Sequence, residues 1–419
     1  MSAANGAPKG RVCLAYSGGL DTSCILAWLI EQGYEVIAYM ANIGQEEDFE
    51  VAKAKALKIG AKSVHIEDVR KEFVDETIYA AVSANATYEN IYLLGTSLAR
   101  PIIARKQIEI AKREGCDYVS HGCTGKGNDQ VRFEISYYAL MPTIKCIVPW
   151  RIPEFFNRFQ GRQDLLDYAA EKGIPVTQTK AKPWSTDENM YHISFEAGIL
   201  EDPDTTPPAD MWKLTVNPED APNTPERLVS SITFKDGRPV KVVNAGDGTT
   251  HTDSLELFLY LNAMGRKHGV GRLDIVENRF VGIKSRGCYE TPAGTILIAA
   301  HRDLEGLVMD REVRKIRDTL SPRLAELIYN GFWFAPEREL IMSLVDHSQK
   351  GVDGSVKIKL YKGSCTIEGR SSAVSLYDRD ISSMDIAGGF NPQDSEGFIR
   401  THAIRIKAWE AVKAKKGNQ

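Results

Sequence analysis

A chain of 419 residues exceeds what one ordinary hydrophobic core organises, and the usual domain size divides it into about two to three domains. With 43% hydrophobic and 26% charged residues, and no apolar run near the ~18 residues of a membrane span, the composition is that of a globular protein in water. A formal net charge of −4 offers no concentrated basic face for nucleic-acid phosphates, so neither nucleic acid nor membrane is an expected partner.

Residues Met1–Gly10 are small and polar and lack the apolar segment of about 7–15 residues that marks a secretory signal, so the cytosol is the expected location. The seven cysteines, Cys13, Cys24, Cys116, Cys123, Cys146, Cys288 and Cys365, are odd in number and contain no close pair of the kind that binds zinc or cycles a disulfide. They are expected to be reduced thiols. From residue 11 to about 170, short β-branched runs alternate with amphipathic stretches, the pattern of βαβ units. Predicted strands are Arg11–Tyr16, Glu35–Asn42, Ser63–Asp68, Asp117–Gly122 and Lys145–Trp150, several of them apolar throughout and therefore covered on both faces. One helix is predicted from about Thr22 to Gln32, stopped by Gly33; another follows Glu46 and ends near Gly60. The expected first domain, residues 1–172, is an α/β doubly wound parallel sheet with strand order 3-2-1-4-5.

Six of the chain's 18 prolines fall between Glu201 and Pro225, where missing backbone donors predict a domain connection or a long surface loop. Leu228–Phe234 and Val240–Val243 flank Asp236-Gly237 as a hairpin, and a helix is predicted over Ser254–Lys267. The second domain, residues 173–394, is expected to be α+β. In the tail, residues 395–419, Ile399, Ala403, Ile406 and Trp409 fall on one helical stripe, with Arg400, Arg405, Lys407 and Lys413 left for the wet side. Such a helix packs on its own domain or embraces another subunit, and periodicity does not choose between the two.

The chemistry concentrates after the first strand. Ser17-Gly18-Gly19-Leu20-Asp21-Thr22-Ser23 joins that strand to a helix, so backbone N–H groups and three hydroxyls converge where the helix dipole favours an anion. The glycine pair admits phosphate oxygens without a Cβ clash. The string carries no lysine and matches neither the Walker loop nor the dinucleotide fingerprint. It carries Asp21 instead, a hard carboxylate suited to Mg²⁺ against phosphate oxygens. In a 3-2-1-4-5 sheet the fourth strand neighbours the first at the switch point, so Cys123-Thr124-Gly125-Lys126-Gly127-Asn128-Asp129-Gln130-Val131-Arg132 is expected to face the first loop. By itself that string reads as a solvated loop with Asn128 or Asp129 capping the next helix; its position makes it a binding loop with an ammonium acceptor, Asp129, and a carboxylate binder, Arg132.

The first string matches the Ser-Gly-Gly-x-Asp-x-Ser loop of the N-type ATP pyrophosphatases. By that resemblance ATP is cut between its α and β phosphorus atoms, leaving AMP on the substrate and releasing pyrophosphate. Ala15–Ser23 (AYSGGLDTS), Tyr92–Arg105 (YLLGTSLARPIIAR), Tyr118–Phe133 (YVSHGCTGKGNDQVRF), Lys182–Ala197 (KPWSTDENMYHISFEA), Asp247–Thr250 (DGTT) and His268–Gly294 (HGVGRLDIVENRFVGIKSRGCYETPAG) resemble the argininosuccinate synthase family over nearly the whole chain. The resemblance implies an adenine nucleotide alpha hydrolase-like first domain, a synthetase and multimerisation domain and a C-terminal oligomerisation helix in a homotetramer. It implies citrulline, aspartate and ATP as substrates, argininosuccinate, AMP and pyrophosphate as products, Mg²⁺ carried with ATP and no tightly bound organic cofactor.

Carried over by position, ATP contacts fall on Ala15, Tyr16, Ser17, Gly18, Gly19, Leu20, Asp21, Thr22 and Ser23, on Ala41, and on Ser120, His121, Gly122, Cys123, Thr124, Gly125, Lys126, Gly127 and Asn128. Citrulline contacts fall on Tyr92, Ser97, Asn128, Arg132, Ser185, Ser194, Glu277 and Tyr289, and aspartate contacts on Thr124, Asn128 and Asp129. These residue types suit the ligands: a buried amino acid needs a cation such as Arg132 for its carboxylate and an anion such as Glu277 for its ammonium. Ser17, Asp21 and Asp129 are the expected catalytic residues, with Asp129 either orienting the aspartate amine or taking its proton. His121 reads equally as a backbone-bonded scaffold histidine. Glutamine-dependent relatives of the same loop require an N-terminal nucleophilic cysteine where this chain has Ser2, and transfer-RNA thiolation enzymes require a basic surface it lacks.

Overall fold

Val12, Cys13 and Leu14, all fully buried, make β1 (Arg11–Ala15) apolar on both faces and give it the centre of the first sheet. The computed structural model describes residues 8–125, 127–176, 183–244, 246–383 and 389–417; Ser2, Lys126 and Lys182 lie outside the described residues. With β2 (Glu35–Asn42), β3 (Ser63–Asp68), β4 (Tyr118–Ser120) and β5 (Lys145–Ile147), β1 forms an all-parallel sheet of order β3-β2-β1-β4-β5, the expected one. The fifth strand is shorter than its predicted run to Trp150, because the chain turns into a 3-10 turn at Pro149–Arg151 and proline has no N–H for the ladder.

Alternation along β1 separates two apolar layers. Val12 and Leu14 pack with α1 (Leu20–Glu31) through Trp28 and with other residues of their cluster, which α2 (Phe49–Ile59) joins through Ala52 and Ala56. Cys13 faces the other layer. There the chain runs through α3 (Arg70–Glu72), a π-helical turn at Phe73–Ile78, α4 (Tyr79–Ser83) and the long α5 (Gly95–Arg113), whose Leu98 and Ile102 share the Cys13 cluster. Gln107 of α5 donates to the carbonyls of Cys13 (2.9 Å) and Ser120 (3.0 Å) and accepts from Tyr137 on α6 (Asp129–Leu140) at 2.6 Å, so the helix is stitched to the junction of β1 and β4. The short α7 (Pro153–Phe156) and α8 (Arg162–Glu171) return to the α1 side through Phe155 and Leu165. The predicted stops at Gly33 and Gly60 are present as left-handed glycines, with φ of +88° and +119°.

The chain beyond α8, up to Val374, is α+β, as expected. One antiparallel sheet, ordered β11-β12-β7-β6, joins β6 (Ser185–Glu188) and β7 (Ile193–Glu196) to β11 (Arg272–Asn278) and β12 (Lys284–Glu290). A second, ordered β10-β9-β8-β13-β14, contains the predicted hairpin β8 (Glu226–Lys235) and β9 (Arg238–Val243), with β10 (Thr250–His251), β13 (Gly354–Tyr361) and β14 (Ser364–Ser371). Its helices are α9 (Ser254–Lys267, the predicted span), α10 (Pro292–Val308), α11 (Arg311–Tyr329) and α12 (Pro336–Ser348).

The proline-rich stretch turns out to be a loop inside this part of the fold: β7 before it pairs with β12 after it. Its backbone donors have a destination. The N–H groups of Lys213 (2.8 Å), Leu214 (3.1 Å) and Thr215 (2.8 Å) all point at the buried carboxylate of Glu290. The chain divides into two compact units, Met1–Val374 and Ser375–Gln419, and the second holds α13 (Arg379–Ser382) and the 26-residue α14 (Pro392–Gly417), on which Ile399, Ile406 and Trp409 are exposed.

One polar group ties the helical layer together. Arg317 of α11 is 1% exposed and pairs with the fully buried Glu305 of α10, which also accepts from Asn85 (2.7 Å) and Gln349 (2.8 Å). Removing one member of a buried ion pair strands the other, at a cost of about 3–5 kcal/mol. Arg317→Leu is therefore expected to lower unfolding free energy by about that much in urea titration, where a loss below ~1 kcal/mol would show that Glu305 is adequately held by its amides alone.

Candidate active site

The first loop leaves β1 at the carboxyl edge of the parallel sheet. Tyr16 extends the ladder by one bond, its N–H donating to Tyr39 O at 2.8 Å. Gly18 then takes φ +71°, and a Cβ there would meet Glu47 Oε1 at 2.9 Å and Ala52 Cβ at 3.0 Å. Gly19 occupies the N-cap of α1 with no side chain capping it, so the first-turn N–H groups face the cleft.

The hydroxyls divide differently from expectation. Ser17 Oγ and Thr22 Oγ1 bond each other at 3.0 Å, while Ser23 is fully buried and bonded to the Tyr16 hydroxyl at 3.0 Å. Only Ser17 stands exposed with Asp21. Partial burial raises the Asp21 carboxyl, against the charge of Arg162. The lysine missing from the string arrives from α2: Lys55 Nζ donates to Gly18 O at 2.9 Å, and burial lowers its pKa. These groups line a cavity of about 1570 Å³, whose far wall includes Ser185 and Asp187 of β6.

β4 lies beside β1, so the second loop starts next to the first, and the two touch: a Cβ on Gly122 would meet Thr22 Cγ2 at 2.8 Å. Ser120 and His121 are fully buried beneath it. His121 Nδ1 accepts from Cys123 N at 3.2 Å and its Nε2 lies 3.8 Å from Glu134, so this histidine is scaffold. Asn128 sits at the N-cap of α6 without capping it; its Oδ1 instead accepts from Phe280 N at 3.2 Å, tying the loop to the tip between β11 and β12.

A second cavity of about 220 Å³ opens beside the first, and Asp187 lines both. Strand register builds one wall of it. Asp187 pairs with Ser194 and Ser194 with Tyr289, so those side chains share a face of the antiparallel sheet with Glu196 and Glu277 at even spacing. Gly287 leaves room for the Tyr289 ring, whose hydroxyl would lie 2.3 Å from a Cβ at that position. Tyr92 stacks on Tyr289 with centroids 4.3 Å apart. The opposite wall comes from the second loop and α6, with Thr124, Gly127, Asn128, Asp129 and Arg132.

Charge in this cavity is organised around Asp129. Its Oδ2 accepts from Arg100 Nε (3.0 Å) and Nη2 (2.7 Å), and its Oδ1 from Arg132 Nη1 (2.8 Å). Burial would raise this carboxyl, but the two guanidiniums outweigh it and hold it well below the usual carboxylate range. A carboxylate so held orients an ammonium and is a very weak base. Arg100 Nη2 also reaches Asp187 Oδ2 at 2.6 Å. Glu277 is the contrasting case: burial raises it, against the hydroxyls of Tyr329 and Tyr289 and the charges of Arg132 and Arg279, and its Oε2 has no hydrogen-bond partner. Buried His192, lowered to about 3 by burial and the charge of Arg100, is a neutral neighbour stacked toward Tyr289.

The expected residues thus fall into three groups. Ser17, Gly18, Gly19, Leu20, Asp21 and Ser185 line the larger cavity. Tyr92, Cys123, Thr124, Gly127, Asn128, Asp129, Arg132, Ser194, Glu277 and Tyr289 line the smaller, which separates Ser185 from the other expected citrulline contacts. Ala15, Tyr16, Thr22, Ser23, Ala41, Ser97, Ser120, His121, Gly122 and Gly125 line neither and support the walls or approaches. Sequence reasoning missed Lys55, Arg100, Asp187 and Tyr329. Arg100 and Asp187 lay inside motif segments and could have been taken as charged residues there; nothing near Lys55 or Tyr329 marks them. Among the described residues no cluster of three His, Cys, Asp or Glu could hold a metal, so the fit for Mg²⁺ is Asp21 together with oxygens of a bound phosphate.

Residues 11–175 match the family model described as the arginosuccinate synthase N-terminal HUP domain, and residues 184–409 match the arginosuccinate synthase C-terminal domain. The chain is 60% identical over 407 residues to the argininosuccinate synthases of Rattus norvegicus and Homo sapiens, covering 97% of this chain and 98% of each relative. It is 60% identical over 417 residues to that of Saccharomyces cerevisiae, covering 98% and 99%.

The loop geometry makes its own prediction. Gly18→Ala forces a left-handed alanine, at a cost of about 1–2 kcal/mol, and crowds Glu47 and Ala52. The expected outcome is a modest fall in thermal stability with a loss of ATP affinity of at least about tenfold by calorimetry, and unchanged affinity would show that the loop need not keep this shape.

Proposed function

The chain belongs to the argininosuccinate synthase family, and from that premise we propose that it ligates citrulline to aspartate with cleavage of ATP to AMP and pyrophosphate. The observation that carries this reading is the pair of cavities sharing Asp187: an anion-binding helix start in one, an orphaned Glu277 oxygen opposite Arg132 in the other. One accommodates a nucleotide's phosphates, the other an amino acid.

In the first step the ureido oxygen of citrulline attacks the α-phosphorus, and the bond to the β,γ-pyrophosphate breaks, giving citrullyl-adenylate. The ureido oxygen is a weak nucleophile, so alignment and charge neutralisation supply most of the acceleration. Ser17 and the N–H groups of the first turn of α1 donate to the departing pyrophosphate, with Lys55 as the nearby cation. Asp21 would hold Mg²⁺ delivered with ATP, which supplies further neutralisation of phosphate charge. Remaining ATP contacts are assigned along Ala15–Ser23, Ala41 and Ser120–Asn128, with the buried Tyr16, Thr22, Ser23, Ser120 and His121 shaping the wall from behind rather than lining a cavity. In the second step the aspartate amine attacks the ureido carbon, the bond from that carbon to its oxygen breaks, AMP leaves carrying that oxygen, and the surplus proton of the amine passes to solvent. Thr124, Asn128 and Asp129 hold aspartate, and Asp129 orients the amine while remaining ionised.

Citrulline is assigned to Tyr92, Asn128, Arg132, Ser194, Glu277 and Tyr289, with Arg132 on the α-carboxylate and Glu277 on the α-ammonium, while Ser97 is buried behind this wall and Ser185 lines the larger cavity. We assign a nucleotide-binding domain to 1–172, a synthetase domain to 173–394 and an oligomerisation helix to 395–419; the first division is supported by the two family matches, which end at 175 and resume at 184. The apolar residues exposed on α14 support a homotetramer, and the absence of any described helix long and apolar enough to cross a membrane is compatible with a cytosolic enzyme.

Citrulline labelled with oxygen-18 in the ureido group is expected to transfer the label to AMP, whereas ADP and orthophosphate as products would end the proposal. Ser17→Ala is expected to slow turnover by about 10²–10³. Light scattering in dilute solution is expected to give the mass of four chains, and an active monomer would remove the role assigned to the tail.

A further inference from the structure

Glu277 is 6% exposed and has two carboxylate oxygens in unlike situations. Oε1 accepts a hydrogen bond from the Tyr329 hydroxyl at 2.8 Å; Oε2 has no partner and belongs to a residue that lines the smaller cavity. A buried carboxylate with one satisfied and one open oxygen is a defined acceptor, because the satisfied oxygen stops the group from rotating.

Tyr329 is itself held from three directions. It is the last residue of α11 and 1% exposed. Its ring lies flat on Tyr88, with centroids 3.7 Å apart and planes 2° from parallel. Its backbone carbonyl accepts from Arg132 Nε at 2.8 Å, and the Arg132 guanidinium carbon sits 5.0 Å from its ring centroid. The close approach of α11 to α6 requires Gly331: its φ is +92°, and a Cβ there would meet Arg132 Cα at 2.7 Å. Tyr329 therefore grips two charged groups of the smaller cavity, Glu277 through its hydroxyl and Arg132 through its ring and backbone carbonyl.

We propose that Tyr329 is a positioning residue that sets the spacing of Glu277 and Arg132 to the α-ammonium and α-carboxylate of citrulline and turns the open Glu277 oxygen toward that ammonium. This rests on the citrulline reading of the cavity. Other charged or titratable groups facing Glu277 are Arg132 of α6, Arg279 beyond β11, Tyr289 of β12, and Tyr88 and Tyr92 before α5. Binding an ammonium needs Glu277 ionised. Its carboxyl is already raised by burial, so citrulline affinity is full above that raised value and falls as pH drops through it. Removing the Tyr329 donor raises the carboxyl further and moves this acid limb to higher pH.

The test is Tyr329→Phe, which keeps the ring stack and deletes only the hydroxyl. The expected result is a KM for citrulline raised about 10- to 100-fold, KM values for ATP and aspartate within about twofold, and an acid limb of kcat/KM for citrulline displaced upward in pH. In combination with Glu277→Gln the two effects should fall short of multiplying, as they do for groups acting through each other. An unchanged citrulline KM and acid limb in a normally active variant would overturn the assignment of Tyr329 while leaving the reaction intact. A loss spread equally over all three substrates, with lowered thermal stability, would overturn it in favour of a purely structural tyrosine. Failure of the unaltered protein to form AMP and pyrophosphate from the three substrates would instead retire the reaction itself.

Discussion

Asp129 lies between two guanidiniums, and that arrangement joins the two halves of the site. Arg100 comes from the long helix behind the parallel sheet, Arg132 from the helix that follows the second loop, and Arg100 also reaches Asp187 on the antiparallel sheet. Asp129 and its two guanidiniums, each costly to bury alone, are stable together because every charge has a bonded opposite. Asp187, which Arg100 holds, is also the residue that lines both the larger and the smaller cavity.

From that centre the electrostatics divide the site by task. Asp129 is kept ionised by its neighbours, His192 is kept neutral by burial, and Glu277 is buried with one oxygen open. Neither Asp129 nor His192 is poised near neutrality as a proton carrier. That pattern suits a reaction in which the leaving groups, pyrophosphate and then AMP, are good ones, and in which the protein contributes alignment and fixed charge. The phosphate side follows the same logic: the uncapped first turn of α1 supplies N–H groups, and the cation absent from the loop comes from α2 through Lys55.

Much of this could be read from the order of residues. The short, nearly continuous apolar runs mark the buried parallel strands, Gly33 and Gly60 stop their helices, and a doubly wound order sets β4 beside β1. The glycine pair marks an anion site because its chemistry is local: a positive φ and open N–H groups depend on neighbours in sequence. Tyr92, Asn128, Asp129, Arg132, Glu277 and Tyr289 are singled out by the family resemblance of their segments rather than by local chemistry, and they do line one cavity.

Folding decided what depends on partners far along the chain. Thr22 and Ser23 look like ligand hydroxyls in the string, yet the first is claimed by Ser17 and the second by Tyr16 underneath the loop. The proline-rich stretch looks like a linker until Glu290, 75 or more residues away, is seen collecting its backbone donors. Lys55, Arg100, Asp187 and Tyr329 acquire meaning only from what they touch, because a charge or a hydroxyl has no direction until the backbone aims it. Local conformational preference is encoded residue by residue, whereas the sharing of hydrogen bonds between distant side chains exists only once the core has closed around them.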